Sequence, residues 1–298
     1  MVDGKSAISE QSGPPQVTKA ARFTAPACWD QQIWHDNPIF AELNALFPLA
    51  QCLDFPLVQE LEQWRISLRP ELTVSFIDND QFTADGRYYE NYIFDTNQIP
   101  TRYPNWHDMF GALIWSLFPK TKKLLNILHI QEIQRHGHRH RSLLRNKLTL
   151  FDECGVLVLF SPEAASVVDM LRNHQWTAAF VQNQHLWQGQ SNQPKIAAMI
   201  FGHANYEMAT RPFIGFTGKM LALAVPVDFF AQTLLQRIDF IDTALSEQIA
   251  NQGVLVEQQQ LTPLPLLGVP GWFEANKHPD FYQNTGYFRA KRTIKDQE

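Results

Sequence analysis

Cysteine is scarce in this 298-residue chain: Cys28, Cys52 and Cys154 lie far apart, are odd in number and form no CxxC pair. That usage supports neither a disulfide framework nor a zinc ribbon, and it fits a reducing cytoplasm. Each cysteine reads as a small buried hydrophobe, and the two acids preceding Cys154 oppose thiolate formation there. Long apolar runs are missing as well. The richest, over 220–227, is strand-sized and far short of the roughly 18 residues of a membrane span. The start of the chain lacks the basic beginning and apolar middle of a secretory signal and runs instead into Gly13-Pro14-Pro15, so a polar tail is expected and export is not.

An excess of positive charge is absent too, since 25 Lys and Arg stand against 30 Asp and Glu. The chain as a whole is therefore no basic nucleic-acid coat. With 45% hydrophobic and 18% charged residues it is not a disordered chain either, and its length can bury a sizeable core. No Walker phosphate loop, GxGxxG, GxSxG or HExxH occurs, which removes the common nucleotide, nucleophile-elbow and zincin readings.

What is present reads as an α+β fold, a predominantly helical single domain over 26–298 with short β-hairpins or a small sheet, preceded by a flexible tail over 1–25. The clearest helix is 105–118, where Asn105 can cap and Trp106, Met109, Phe110, Leu113, Ile114 and Leu117 recur at helical spacing. A second follows over 120–134, with Lys122 and Lys123 read as outward, so that the two form a helical hairpin. Further helices are expected over 37–47, 56–68, 162–173, 176–186 and 228–250. Strands are expected over 72–77, 88–94 and 218–225. The runs 148–151 and 156–160 around the turn-like Asp-Glu-Cys-Gly predict a hairpin. The stretch 261–272, with three prolines in an apolar run, predicts an extended segment packed on the body.

Several motifs in order carry a resemblance. They are Tyr89-Glu90, Pro100-Thr101-Arg102, Asn105-Trp106-His107-Asp108, Phe118-Pro119 with Lys122, Leu125-Asn126 with His129, and Leu148-Thr149 with Phe151-Asp152-Glu153. Phe201-Gly202-His203-Ala204 with Glu207, and Leu266 and Gly268 with Pro270-Gly271-Trp272, complete the set. Over about 29–292 the chain resembles a bacterial family known only as domain of unknown function 3025. The resemblance implies a bacterial, single-domain protein and attaches no activity, substrate or cofactor to it.

Chemistry is sought first at His203 and Glu207. On a helix their four-residue spacing puts both on one face, a two-ligand geometry for zinc, iron or manganese, with an intrahelical pair as the plainer account. His107 opens the strongest helix, where the positive terminus keeps its ring neutral as a base requires, while Asp108 reads as part of the cap. His129, near the end of the next helix, can approach His107 across the hairpin. Asp152 is preferred to Glu153, because adjacent strand residues point opposite ways.

Over 119–147 eight basic residues face a single acid, Glu132, a net of plus 7. Within a total of minus 5, the rest of the chain thus carries minus 12. Such asymmetry suits an anionic small molecule or RNA, with Arg102 and Lys122 as anion contacts. The histidine-rich tract 135–141 within it reads as a solvated loop. Trp272, Tyr282, Tyr287 and Phe288 either line an apolar cleft or anchor the tail, and anchoring is preferred.

The leading expectation is a cytoplasmic, metal-dependent, hydrolase-like enzyme: His107 and Asp152 catalytic, His129, His203 and Glu207 on a divalent metal, Arg102 and Lys122 on the substrate's negative charge. The alternatives are a non-catalytic RNA- or partner-binding protein using 119–147, and a metal-free acid–base enzyme built from the same residues.

Overall fold

The apolar repeat over 105–118 becomes a helix that runs through the core. In the computed structural model, which describes residues 23–188, 193–255 and 261–292, Trp106–Leu117 is helical and Asn105 caps it by accepting the Asp108 N–H at 3.0 Å. Both its apolar stripe and the opposite residues Ala112, Trp115 and Ser116 are buried, so it is covered on nearly all sides. Five helices carry most of the motif residues: α1 (Tyr89–Thr96), α2 (Trp106–Leu117), α3 (Pro119–His136), α4 (Leu143–Cys154) and α5 (His203–Ala209).

Pro119 occupies the first position of α3, where its missing N–H costs nothing. The free amides of Lys120 and Thr121 donate to the buried carboxylate of Asp242 at 2.9 and 2.8 Å, which ties α3 to the long helix Leu234–Gln252.

Two sheets complete an α+β, predominantly helical fold. Strands β1 (Ser75–Asp78) and β2 (Gln98–Thr101) pair in parallel. The larger sheet runs β4 (Ile196–Ile200), β3 (Gly155–Phe160), β5 (Thr217–Ala224), β6 (Thr262–Pro265), with β3 and β5 parallel at its centre and antiparallel neighbours outside. Val156, Leu157 and Val158 of β3 are completely buried, as befits a strand covered on both faces. Pro263 and Pro265 are tolerated because β6 is an edge strand, and the expected extended segment is thus seated on the body.

Two of the expected strands are helices. The 88–94 run forms α1, and the partner of β1 is instead 98–101, reached through two helices, Asn79–Asp85 and α1. Its aromatic, β-prone composition is overridden by packing of Tyr92 and Ile93 on one helical face. The expected 148–160 hairpin is instead α4 running directly into β3. Ser142 caps α4 by accepting the Arg145 N–H at 3.1 Å, and Arg145, Leu148 and Phe151 recur on its buried side.

Buried apolar side chains from Trp34 to Phe288 form one contiguous cluster. Tyr282, Tyr287 and Phe288 belong to it and anchor the C-terminal part, the Tyr287 hydroxyl donating to the Phe216 carbonyl at 2.6 Å. Of the three cysteines, each read as buried, Cys28 is exposed, and Cys52 and Cys154 are half-buried. The tail expected over 1–25 falls, for 1–22, outside the described residues. Among the described residues no helix is long and apolar enough to cross a membrane.

Candidate functional site

The site forms where α5 lands on the junction between α4 and β3. Phe201 and Gly202 donate their N–H groups to the Gly155 carbonyl at 3.0 and 2.8 Å, and Asn205 donates to the Cys154 carbonyl at 2.8 Å. Gly202 permits this approach: a Cβ there would lie 2.4 Å from the Glu153 carbonyl oxygen and 2.5 Å from the Cys154 nitrogen. Both obstacles are backbone and cannot swing away. Gly202→Ala should therefore cost about 1–3 kcal/mol of stability, read from urea unfolding. An unchanged midpoint would show that α5 does not sit this close.

This contact sets His203, the first residue of α5, against His107 of α2. Their Nε2 atoms are 2.9 Å apart, with the rings nearly perpendicular at 75°. Behind His107, its Nδ1 meets the Glu207 carboxylate at 3.2 Å. The four-residue spacing of His203 and Glu207 thus places both on one face, but they do not pair with each other: they grip the same histidine from opposite sides. On the far side of His203, its buried Nδ1 faces Asp152 Oδ2 at 3.8 Å, too long for a hydrogen bond, while Asp152 Oδ1 accepts from the Lys122 ammonium. A chain of titratable groups runs Glu207, His107, His203, Asp152, Lys122.

These contacts open into a cavity of about 470 Å³. From α3, Lys122, Asn126 and His129 face it at helical spacing, all three buried. Lys122, read as outward, is 6% exposed and lies 5.3 Å from the centre of the Trp115 ring. Asn126 donates to the Glu90 carboxylate of α1 at 2.6 Å. At another wall Arg102 donates to both carboxylate oxygens of Asp108, at 2.8 and 2.7 Å.

Burial and neighbours separate the protonation of these groups. Burial holds His203 down at about 4, against the opposing pull of Asp152. It does the same to His129, also lowered to about 4. Burial acts on His107 as well, but the hydrogen bond and charge of Glu207 outweigh it and leave the ring above its ordinary value. Burial would raise Asp152, yet Lys122 and His203 hold its carboxyl below the usual range. Glu90 is raised, by burial first, with Asn126 opposing.

Six of the seven residues singled out from the sequence, Arg102, His107, Lys122, His129, Asp152 and His203, therefore line one cavity, and the seventh, Glu207, orients His107. Asp152 and Glu153 both line it, because on helix α4 adjacent residues need not point to opposite sides. Glu90, Asn126, Trp115 and Tyr89 also line the cavity and were not expected there from the sequence. Glu90 is masked by the strand-like composition of α1, and Asn126 sits in a polar stripe that hydropathy does not reveal.

For a metal, the arrangement supplies two facing imidazole nitrogens, and among the described residues no group of three or more His, Cys, Asp or Glu is placed to hold an ion. The basic block is not one outward surface. Lys122 turns into the cavity, and Arg145, 1% exposed, donates to the carbonyls of His138 at 3.2 Å and His140 at 2.9 Å, fastening the histidine-rich loop.

A family model described as a protein of unknown function (DUF3025) matches residues 74–292. The chain belongs to this family. No curated protein and no solved structure matches the chain. The matched stretch contains every residue that lines the cavity, and much of the motif set by which the chain resembles DUF3025 lies there: Tyr89-Glu90, Arg102, His107-Asp108, Lys122, Asn126 with His129, and His203.

Proposed function

We propose that this DUF3025 protein is a cytoplasmic acid–base enzyme, hydrolase-like in its chemistry, whose reaction turns on proton transfer at the His107–His203 pair. The observation that carries the reading is the 2.9 Å contact between the two Nε2 atoms, held by Glu207 on one side and opening into the cavity. Two titratable groups whose surroundings push them apart divide into acid and base. Glu207 favours the protonated form of His107, which gives its Nε2 proton to a leaving atom once substrate parts the two rings; burial favours neutral His203, whose Nε2 then draws a proton from water or a substrate hydroxyl. As His203 becomes positive, Asp152 stands 3.8 Å from its Nδ1, held ionised by Lys122. The three cysteines, all unpaired, support the compartment.

Isotope-labelled histidine NMR tests the pair directly. His107 and His203 should titrate as a coupled system, displaced in opposite directions from about 6.5; two independent titrations near that value would sink the reading. On a panel of ester, amide, phosphate-ester and glycoside substrates, His107→Gln and His203→Gln should each lower turnover by about 10²- to 10⁴-fold without changing the far-ultraviolet circular dichroism. Activity should survive chelation. Stoichiometric zinc, iron or manganese in untagged protein, lost together with activity in both variants, would replace this reading with a divalent-metal enzyme in which His107 and His203 are ligands and Glu207 orients one of them.

A further inference from the structure

The cavity holds more negative charge than positive. Glu90, Asp108, Asp152 and Glu153 line it against Arg102 and Lys122. Both cations are already engaged, Arg102 by two bonds to Asp108 and Lys122 by Asp152. Lys122 is buried and spent on Asp152, and Arg102 turns its Nε and one Nη to Asp108, so what positive charge an anion could meet is confined to the exposed side of Arg102. Glu90 and Glu153, by contrast, form no ion pair among the described residues. Among the described residues the Glu90 carboxylate accepts from neutral Asn126 alone, at 2.6 Å.

A second observation points the same way. His129 is 7% exposed and lines the cavity, yet its buried Nδ1 has no hydrogen-bond partner. A buried polar atom without a partner costs free energy unless something fills its hydrogen bond.

We infer that the cavity binds a small organic molecule through a protonated primary amine, held by the Glu90 carboxylate and the free ring nitrogen of His129. An alkylammonium is all donor, with three N–H groups and no acceptor; the Glu90 carboxylate accepts, and so does His129 Nδ1 in the tautomer that carries the ring proton on Nε2, which is the tautomer the inference requires. Its charge supplies the counterion that Glu90 lacks. Burial pushes the Glu90 carboxyl up, and the more distant charges of Lys122 and Arg145 do not offset it, so a cation in direct contact would favour its ionised form. The rest of a ligand sized for a cavity of about 470 Å³ then extends towards His107 and His203. This rests on reading the cavity as a substrate site, but not on what the histidine pair does there.

The test is binding rather than turnover, on the whole chain near neutral pH, followed through the His129 ring signals. The probes are butylamine, ethanolamine, tetramethylammonium, acetate, inorganic phosphate and glycerol. Butylamine or ethanolamine should saturate the shift. Tetramethylammonium, a cation without N–H donors, should bind more weakly. Glu90→Gln, which keeps the shape and the bond from Asn126, should weaken amine binding about tenfold or more. Amine binding that survives in His203→Gln supports the inference whatever becomes of turnover, so the two proposals fail separately. Saturation by acetate or phosphate, amine binding unchanged in Glu90→Gln, or no saturation by either amine would overturn it.

Discussion

Lys122→Met should destabilise the protein by about 3–5 kcal/mol. The lysine is buried, its ammonium donates to Asp152 Oδ1, and it lies 5.3 Å from the centre of the Trp115 ring. Removing it leaves Asp152 ionised in a cavity that also holds Glu90 and Glu153, and the two histidines that act on it, His203 and His129, are held towards the neutral form by burial. The carboxylate then either carries its charge unpaired or takes up a proton, and both are costly at neutral pH. Loss of the buried member of a pair costs far more than loss of both, and although the Asp152 side chain is 24% exposed the lysine is not, so Lys122→Met with Asp152→Asn should recover much of the deficit. Urea unfolding of the two single variants and the double variant gives the coupling. A single-variant loss below about 1 kcal/mol, as for a solvent-exposed pair, or strictly additive losses, would mean that the pair is solvated.

How much of this was readable in the sequence depended on whether the signal was local. Helix α2 announces itself, because its apolar repeat and the Asn105 cap lie within one short stretch. The edge strand β6 was legible as an extended segment from its prolines. Helix α4 was not. Leu-Thr-Leu-Phe has strand composition and Asp-Glu-Cys-Gly has turn composition, and only the packing of Arg145, Leu148 and Phe151 shows the helical period. Lys122 was assigned outward for a related reason: the cavity face of α3 consists of Lys122, Asn126 and His129, so charge and hydropathy point the wrong way.

The site residues were recognisable as types, and the pairing was not. Glu207 and His203 share a helical face as their spacing requires, but the histidine between them comes from 100 and 96 positions away in the chain. No periodicity carries a contact of that range. A family likeness does mark its participants, since the motif residues Tyr89-Glu90 and Asn126 proved to belong to the cavity.

The stability that His203 and His129 contribute should be lost as the solution is acidified from about pH 6.5 towards 4, the interval over which the unfolded chain protonates histidines that the folded chain keeps neutral. His203 and His129 both have folded values near 4, set chiefly by burial. Each is depressed, so its contribution is complete above the unfolded value and disappears as pH falls through the folded one. Across that gap each contributes at most about 3 kcal/mol. His107 works in the opposite sense: its folded value is raised, so its contribution is present below the unfolded value and is lost as pH rises through the folded one. Among the histidines the balance is a loss in acid; over the same range the carboxyls that burial raises, Glu42 to about 7 and Glu90 and Asp242 in the same direction, act in the opposite sense, so the histidine contribution is read from a variant rather than from the total. The loss is distinct from that of carboxylates such as Asp152, whose lowered value delays its effect to more acidic solution. Unfolding free energies of the native chain and of His129→Gln, measured at intervals across the range, separate these terms. The variant's slope between pH 6.5 and 4 should be visibly flatter, by about one proton's worth. Equal slopes would place His129 in contact with solvent and remove the dry cavity wall on which its unpartnered nitrogen depends.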